Sequence, residues 1–291
     1  MIAVLDVAAL SACPLPRLPV DGDKEDRGSL FVMGGETVMA GAALLAGVAA
    51  LRVGAGKLQL AATSDAVAAM SVAVPEARIV RKGAAGGLGK KVRAAARKAS
   101  ALVIGPGMDA RPRQRRMALN LLREAPFSPA LIDAGALPEA KEASVFAALS
   151  NGRVILTPHA GEMAGMLGRD KAAVKADPLA TAREASAMFR SVVVMKGVET
   201  FVVSPDGLAW QFKGGVAGLG TSGSGDVLAG VIGGLLARGA SPVTAALWGV
   251  VLHAEAGAAL SEHAPLGFLA RDLLEPLPGL LGRLGEASAA A

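Results

Sequence analysis

The sequence contains no tyrosine, and aromatic residues account for only 3% of its 291 residues. Proteins that bind single-stranded nucleic acid stack the bases on exposed aromatic rings, so this scarcity argues against a nucleic-acid partner even though the net charge is +5. A positive charge of that size suits small anionic molecules better. We therefore expect small-molecule ligands and no nucleic acid.

Cysteine is equally scarce, because Cys13 is the single one in the chain. One thiol cannot form an internal disulfide, which suits a reducing compartment, and we expect a cytoplasmic protein. Long apolar runs are missing as well. The longest, residues 38–51, falls short of the roughly 20 residues that a membrane-spanning helix needs. We therefore expect no membrane partner.

Hydrophobic residues make up 52% of the chain and charged residues 19%, a composition that excludes disorder and predicts a large buried core. Apolar runs bounded by Gly or Pro alternate with helical patterns almost throughout, which is typical of a parallel sheet covered by helices. The chain is expected to form one α/β domain over residues 22–285. Residues 1–21 and 286–291 are expected to be peripheral, mobile tails.

The hydrophobic pattern predicts the positions of individual strands and helices. Strands are expected at residues 29–34, 57–63, 101–105, 130–133, 153–157, 192–196, 200–204 and 208–213. Helices are expected at residues 38–51, 88–98, 113–123, 139–148, 178–189 and 225–236, and from 241 to about 259. The turn sequence Pro205-Asp206-Gly207 predicts an antiparallel hairpin between the last two strands, so the sheet is expected to be mixed.

A glycine-rich loop, GLGTSGSGD at residues 218–226, runs directly into one of these predicted helices. Its free backbone N–H groups converge at the positive end of the helix dipole, and glycines let phosphate oxygens approach closely, so the loop predicts an anion site. Asp226 is expected to stay ionised there and to accept a proton from a substrate hydroxyl that attacks a phosphoryl group. The alternative is that Asp226 only caps the helix.

The run Gly223-Ser224-Gly225-Asp226, followed by VLAG, resembles the signature of the NAD(P)H-hydrate dehydratase branch of the ribokinase-like superfamily. Other motifs stand in that family's order: GG at 34–35, RVGAG at 52–56, IGPG at 104–107, LTPHAGE at 156–162 and VMKG at 194–197. Together they cover about residues 22 to 280, and the combination is specific. The resemblance implies a three-layer α/β/α fold with a mostly parallel central sheet and a small antiparallel hairpin.

The resemblance also implies roles for the residues at matching positions. Asp226 is the implied catalytic base, and Ala42, Gly107, His159 and Asp226 are the implied substrate-side residues. The implied nucleotide-binding residues are Lys196, Gly197, Val198, Glu199, Thr200, Gly223, Ser224 and Gly225. Mg²⁺ and ADP or ATP are the implied cofactor and co-substrate. Glu162 has three open readings: it orders its loop, contacts metal-bound water or begins a helix.

The implied reaction repairs damaged NADH or NADPH. The hydroxyl of the S epimer of the hydrated cofactor attacks the terminal phosphate of the nucleotide, and the resulting phosphate ester then leaves. The resemblance also implies a homo-oligomer, with a tetramer as a common form. A kinase of another small hydroxyl substrate would keep Asp226 and stop at the ester, and a nucleotide-binding paralogue would not react at all.

The chain departs from the family pattern at several positions, and the departures indicate a divergent branch. They are Val216, Ser222, Gly135, Glu199, Ala160 and the entry motif DKED at 23–26. Two further sets of residues can be interpreted without a functional role. Without the neighbouring motifs, His159 would be an exposed loop histidine and Lys196 a strand-terminal lysine, and we keep these alternatives open. We interpret the basic cluster Arg111, Arg113, Arg115 and Arg116 as a solvated helix face.

Overall fold

A computed structural model describes residues 2–17, 19, 21–35, 39–83 and 88–290. Its strands are β1 (Ala3–Val4), β2 (Ser29–Met33), β3 (Lys57–Ala62), β4 (Ala77–Arg81), β5 (Ala101–Ile104), β6 (Ala130–Ile132), β7 (Val154–Leu156), β8 (Val192–Met195), β9 (Thr200–Val203) and β10 (Ala209–Phe212). Its α-helices are α1 (Val7–Ser11), α2 (Ala40–Arg52), α3 (Val67–Ala73), α4 (Lys90–Lys98), α5 (Pro112–Glu124), α6 (Ala143–Ser150), α7 (Ala160–Leu167), α8 (Lys171–Ala176), α9 (Pro178–Phe189), α10 (Ser224–Ala237), α11 (Pro242–Ser261) and α12 (Leu277–Ala290).

The strands form one sheet in the order β1-β10-β9-β8-β7-β6-β5-β2-β3-β4. Strand β9 is antiparallel to both of its neighbours, and the remaining pairs between described strands are parallel. Strands β9 and β10 are joined by the predicted turn, where Gly207 has a φ of +90°. The mostly parallel sheet with an antiparallel hairpin is therefore confirmed.

Helices cover both faces of the sheet, which makes the fold a three-layer α/β/α structure. Alternate residues of a strand point to opposite faces: Leu30 and Val32 belong to the core with helices α2, α10 and α11. Phe31 and Met33 belong to the other core, with helices α5, α6 and α9. Because both faces of the central strands β5 to β8 are buried, these strands are continuously apolar rather than alternating.

The central pair of helices, α2 and α10, pack unusually closely. A Cβ atom on Gly230 would lie 2.1 Å from the carbonyl oxygen of Ala46, and one on Gly234 would lie 2.7 Å from that of Ala50. The two backbones can approach this closely because the contact consists of glycine and alanine. This packing brings the first turn of α10 beside helix α2.

The expectation of peripheral tails is wrong in two places. Residues 3–4 pair with β10, Leu10 is fully buried, and the Trp248 indole N–H donates to the carbonyl oxygen of Cys13 at 2.8 Å. At the other end, residues 286–290 continue helix α12. Strands β1 and β4 and helices α1, α3, α7, α8 and α12 were not predicted, and Val38, the first residue of a predicted helix, lies outside the described residues.

Among the described helices, α11 is long and apolar enough to cross a membrane by length and composition. In the fold, 67% of its most apolar window is buried. That burial is typical of a core helix, because a chain can cover an apolar helix with its own residues. The packing of α11 against the sheet and α10 therefore explains its apolar composition.

Candidate active site

The carboxyl ends of the parallel strands meet at one edge of the sheet, where α/β proteins build their sites. Asp133 follows β6, His159 lies just beyond β7, and Lys196 follows β8. The backbone N–H of Lys196 donates to the carbonyl oxygen of Pro158 at 2.8 Å, which joins the last two of these segments. A cavity of about 750 Å³ lies at this edge.

Most of the predicted nucleotide-binding residues line this cavity. They are Lys196, Gly197, Val198, Thr200, Ser224 and Gly225, together with His159 from the substrate-side set. The other walls are mainly apolar and include Phe212, Val216, Leu219, Leu228 and Val250. The cavity therefore combines a polar end, at the first turn of α10, with apolar walls suited to a flat ring.

Helix α10 begins at the polar end of the cavity. Gly223 is its N-cap residue and has a φ of +90°, a conformation that favours glycine. A Cβ atom there would also lie 2.8 Å from Leu45 Cδ1 and 3.0 Å from Ala270 Cβ. Gly223 therefore shapes the turn, and it does not line the cavity itself. The turn places the N-terminus of a 14-residue helix, which is the positive end of its dipole, at the site.

A half-buried lysine, Lys196, lies among carboxylates beside this turn. Lys196 Nζ lies 3.0 Å from Asp133 Oδ1 and 3.7 Å from Glu162 Oε2, and Thr157 Oγ1 donates to Asp133 Oδ1 at 2.7 Å. Burial alone would lower the pKa of Lys196, but the charges of Asp133, Glu162 and Asp226 raise it overall. The ammonium group is therefore charged and held by Asp133, and it reaches to 3.5 Å from where a Cβ of Gly225 would lie.

Asp226 lies in the first turn of α10, next to cavity-lining Gly225. Burial, and after it the charge of Asp133, raises the pKa of Asp226 to about 6, against a smaller lowering by Lys196. We expected the helix terminus to keep this carboxyl group firmly ionised. The pKa is raised instead because burial and the charge of Asp133 outweigh the charge of Lys196. A carboxylate poised near neutral pH is well suited to act as a general base.

His159 and Glu162 form a capping box at the start of α7. The Nδ1 atom of His159 accepts from the N–H groups of Gly161 and Glu162 at 3.0 and 3.1 Å. Glu162 Oε2 accepts from the N–H of His159 at 2.8 Å. Since Nδ1 is an acceptor, Nε2 carries the proton and is the donor that the exposed His159 ring can offer a ligand. Of the three roles considered for Glu162, the structure shows two: Glu162 begins helix α7 and orders its loop.

The remaining implied residues lie away from the cavity walls. Ala42 and Gly107 meet each other, since a Cβ atom on Gly107 would lie 2.7 Å from Ala42 Cβ. Glu199 accepts a hydrogen bond from Gln211 Nε2 at 2.7 Å. Ser222 is exposed.

The departure at position 135 has a local reason in this chain. A Cβ atom on Gly135 would lie 2.1 Å from the carbonyl oxygen of Asp109, so any larger residue there would displace the loop after β5. The interpretation of the arginine cluster also needs one correction. Arg115 is buried and pairs with Glu139 at 2.7 Å and Glu142 at 3.1 Å, whereas Arg111, Arg113 and Arg116 are exposed.

No group of three or more His, Cys, Asp or Glu side chains arranged to hold a metal ion occurs in the part of the chain that the structure describes. Both oxygens of Glu162 face partners already, and Asp133 holds Lys196. Carboxylate oxygens are suitable ligands for Mg²⁺, but the described residues do not form a complete set of protein ligands for the ion. Mg²⁺ is commonly held by substrate phosphates with one or two carboxylates, and that is the one arrangement that these residues fit.

Sequence reasoning missed His253 on α11, which lines the cavity and contacts Ser224. A single polar residue in the apolar run 250–254 is its one sequence signal. That signal does not reveal the contact, because the two residues are 29 positions apart.

Comparison with known proteins agrees with this geometry. The sequence profile of the NAD(P)H-hydrate dehydratase family matches residues 30–279. The chain belongs to the NAD(P)H-hydrate dehydratase family. An ADP-dependent (S)-NAD(P)H-hydrate dehydratase of Xanthomonas campestris is 45% identical over 291 residues, covering 97% of each chain. The resemblance drawn from the motifs is therefore confirmed.

Two further members of the NAD(P)H-hydrate dehydratase family are also similar to this chain. The ADP/ATP-dependent enzyme of Bacillus subtilis, crystallised with ATP and Mg²⁺, has a TM-score of 0.82 at 28% identity, covering 97% of this chain and 99% of that one. The bifunctional NAD(P)H-hydrate repair enzyme of Escherichia coli is 35% identical over 266 residues, which are 90% of this chain and 49% of that protein. The chain thus corresponds to about half of the bifunctional relative.

Proposed function

We propose that this protein repairs the S epimer of hydrated NADH or NADPH by an ADP-dependent dehydration that yields NADH or NADPH, AMP and phosphate. The observation that carries the proposal is a poised carboxyl group, Asp226, in the first turn of a helix whose N-terminal residues line a nucleotide-sized cavity. Membership of the NAD(P)H-hydrate dehydratase family supports the substrate class. ADP is the proposed donor because the Xanthomonas relative is ADP-dependent.

Asp226 takes the proton of the C6 hydroxyl as that oxygen forms a bond to the terminal phosphorus of ADP and AMP leaves. The ring nitrogen then supplies the electron pair that expels phosphate from C6, and loss of a C5 proton restores the C5–C6 double bond. Phosphate is a far better leaving group than hydroxide. The N–H groups at the start of α10 stabilise the charge on the transferred phosphoryl group.

Two clusters assist this chemistry. His159 offers its Nε2–H to the hydrated substrate, for which Ala42 and Gly107 are the other implied contacts, and Lys196 contributes positive charge close to Gly225. Gly197, Val198 and Thr200 border the nucleotide. Glu162, through water, and the nucleotide phosphates would hold Mg²⁺, which would neutralise polyphosphate charge. We further propose a cytoplasmic homo-oligomer, and light scattering on the purified chain tests for a tetramer.

The function is tested by incubating the protein with enzymatically hydrated NADH or NADPH, Mg²⁺ and ADP or ATP. Recovery of the absorbance of the reduced nicotinamide is expected, together with stoichiometric phosphate and either AMP from ADP or ADP from ATP. A stable phosphate ester would identify a kinase of a small hydroxyl compound instead. Bound nucleotide without turnover would identify a non-catalytic paralogue.

A further inference from the structure

His253 projects from α11 onto the first residue of α10. Its Nε2 atom lies 2.9 Å from Ser224 Oγ and 3.0 Å from the carbonyl oxygen of Ser224. Both residues are buried and both line the cavity. The ring therefore contacts the first turn of α10 at the cavity wall, and the mechanism above assigns it no task.

The two contacts fix which nitrogen carries the proton. A carbonyl oxygen can only accept, so a bare lone pair on Nε2 at 3.0 Å would repel it, and Nε2 must carry the hydrogen. Burial lowers the pKa of His253 to about 4, so the ring is neutral under physiological conditions with this single Nε2 hydrogen. That hydrogen is shared between the carbonyl oxygen and Oγ of Ser224.

The hydroxyl group of Ser224 is constrained as a result. The Ser224 oxygen accepts a hydrogen bond from His253, so the hydroxyl hydrogen of Ser224 cannot point at the ring. Ser224 also lines the cavity, so that hydrogen is available to a ligand there. A serine hydroxyl is otherwise free to rotate and to act as donor or acceptor. With an anionic ligand, a donor in this place is favourable and an acceptor is not.

We propose that His253 is a positioning residue that turns the Ser224 hydroxyl into a hydrogen-bond donor for a phosphoryl oxygen of the nucleotide. The inference rests on the proposed function for the identity of the ligand as ADP. It extends the site beyond the glycine-rich motif to helix α11. His253 itself touches no reacting atom.

The test is a double-mutant cycle read by calorimetric binding of ADP with Mg²⁺, so that no turnover is needed. His253→Leu and Ser224→Ala should each weaken ADP binding by about 10-fold to 100-fold, the range for a hydrogen bond to a charged group. The double variant should bind about as weakly as either single variant, because one hydrogen bond is lost in all three. His253→Gln keeps an N–H donor near the position of Nε2 and should restore binding to within about threefold of wild type.

Leu252→Ala is the matched control, since Leu252 is fully buried on the same helix and does not line the cavity. It should lower the melting temperature and leave ADP affinity unchanged. The inference is overturned if His253→Leu binds ADP like wild type, if the losses from His253→Leu and Ser224→Ala multiply, or if wild type does not bind ADP. If His253→Leu does not fold, the His253→Gln and His253→Asn variants are compared instead. The inference is overturned if His253→Gln binds ADP no more tightly than His253→Asn. ADP binding without repair of hydrated NADH would defeat only the proposed function.

Discussion

At the scale of single residues, the site sets two electrostatic effects against each other. The start of α10 favours an anion, whereas burial and the neighbouring Asp133 disfavour ionised Asp226. Lys196 reduces the conflict because Asp133 and Glu162 hold its charge in place. The outcome is a carboxyl group that is mostly ionised at neutral pH and still basic enough to take a proton.

The pH profile of kcat/KM should therefore show an acidic limb near pH 6, with activity rising as Asp226 loses its proton. Asp133→Asn removes a charge that raises the pKa of Asp226, so the limb should move to lower pH. Lys196→Met removes a charge that lowers the pKa, so the limb should move to higher pH. If either substitution moves the limb in the direction contrary to this expectation, or if neither moves it, a group other than Asp226 limits the rate.

Asp226→Asn should lower kcat about 10²-fold to 10⁴-fold, the usual contribution of a general base. It should also stabilise the fold. The folded pKa is raised from near 3.8 to about 6, so the wild type loses stability as pH rises through that window, and the Asn variant does not. We expect a gain of about 1–2 kcal/mol in the free energy of unfolding at pH 8, shrinking towards zero at pH 4. Denaturant unfolding at both pH values measures it, and an equal gain at both would contradict the assignment.

Local motifs made part of this site predictable from the sequence. The GSGD run located Asp226 and Ser224, and the TPH run located His159 at the end of a strand. The pairs that tune the site were not predictable, because Lys196 meets Asp133 across 63 positions and Ser224 meets His253 across 29. Contacts of that kind depend on strand order, which periodicity does not encode.

At the scale of secondary-structure elements, the α2–α10 contact holds the first turn of α10 in place. Gly230→Ala should reduce the free energy of unfolding by about 1–3 kcal/mol, because its Cβ would meet the backbone of Ala46. Gly165→Ala is the matched control on α7, where a Cβ meets nothing within 4 Å. There the better helix propensity should add about 0.5–1 kcal/mol. Equal effects of the two substitutions, measured by denaturant unfolding, would contradict the close packing.

The elements that pattern reasoning found are the buried ones. Continuous apolar strands such as β5 and the Pro-initiated helices α9 and α11 have signals of their own. Strand β4 was missed because it lies at the sheet edge and carries Arg78 and Arg81. Helices α7 and α8 were missed because each is at most eight residues long, too short for a clear helical period.

At the scale of the whole molecule, the N-terminal segment closes one edge of the fold. Leu10 is fully buried against the α11 and α12 layer, whereas Val4 is 65% exposed. Leu10→Ala should therefore reduce the free energy of unfolding by about 2–5 kcal/mol, and Val4→Ala should change it by less than about 0.5 kcal/mol. A Leu10→Ala protein as stable as the Val4→Ala protein would show that the segment is peripheral after all.

In the proposed reaction, the hydroxyl group leaves as phosphate rather than as water. Hydrated NADH prepared in water enriched in a heavy oxygen isotope carries the label in its C6 hydroxyl, and that label can be followed during repair with ADP. The label should appear in inorganic phosphate, one heavy oxygen for each NADH restored. Unlabelled phosphate, with the heavy oxygen released to solvent, would contradict the proposed reaction.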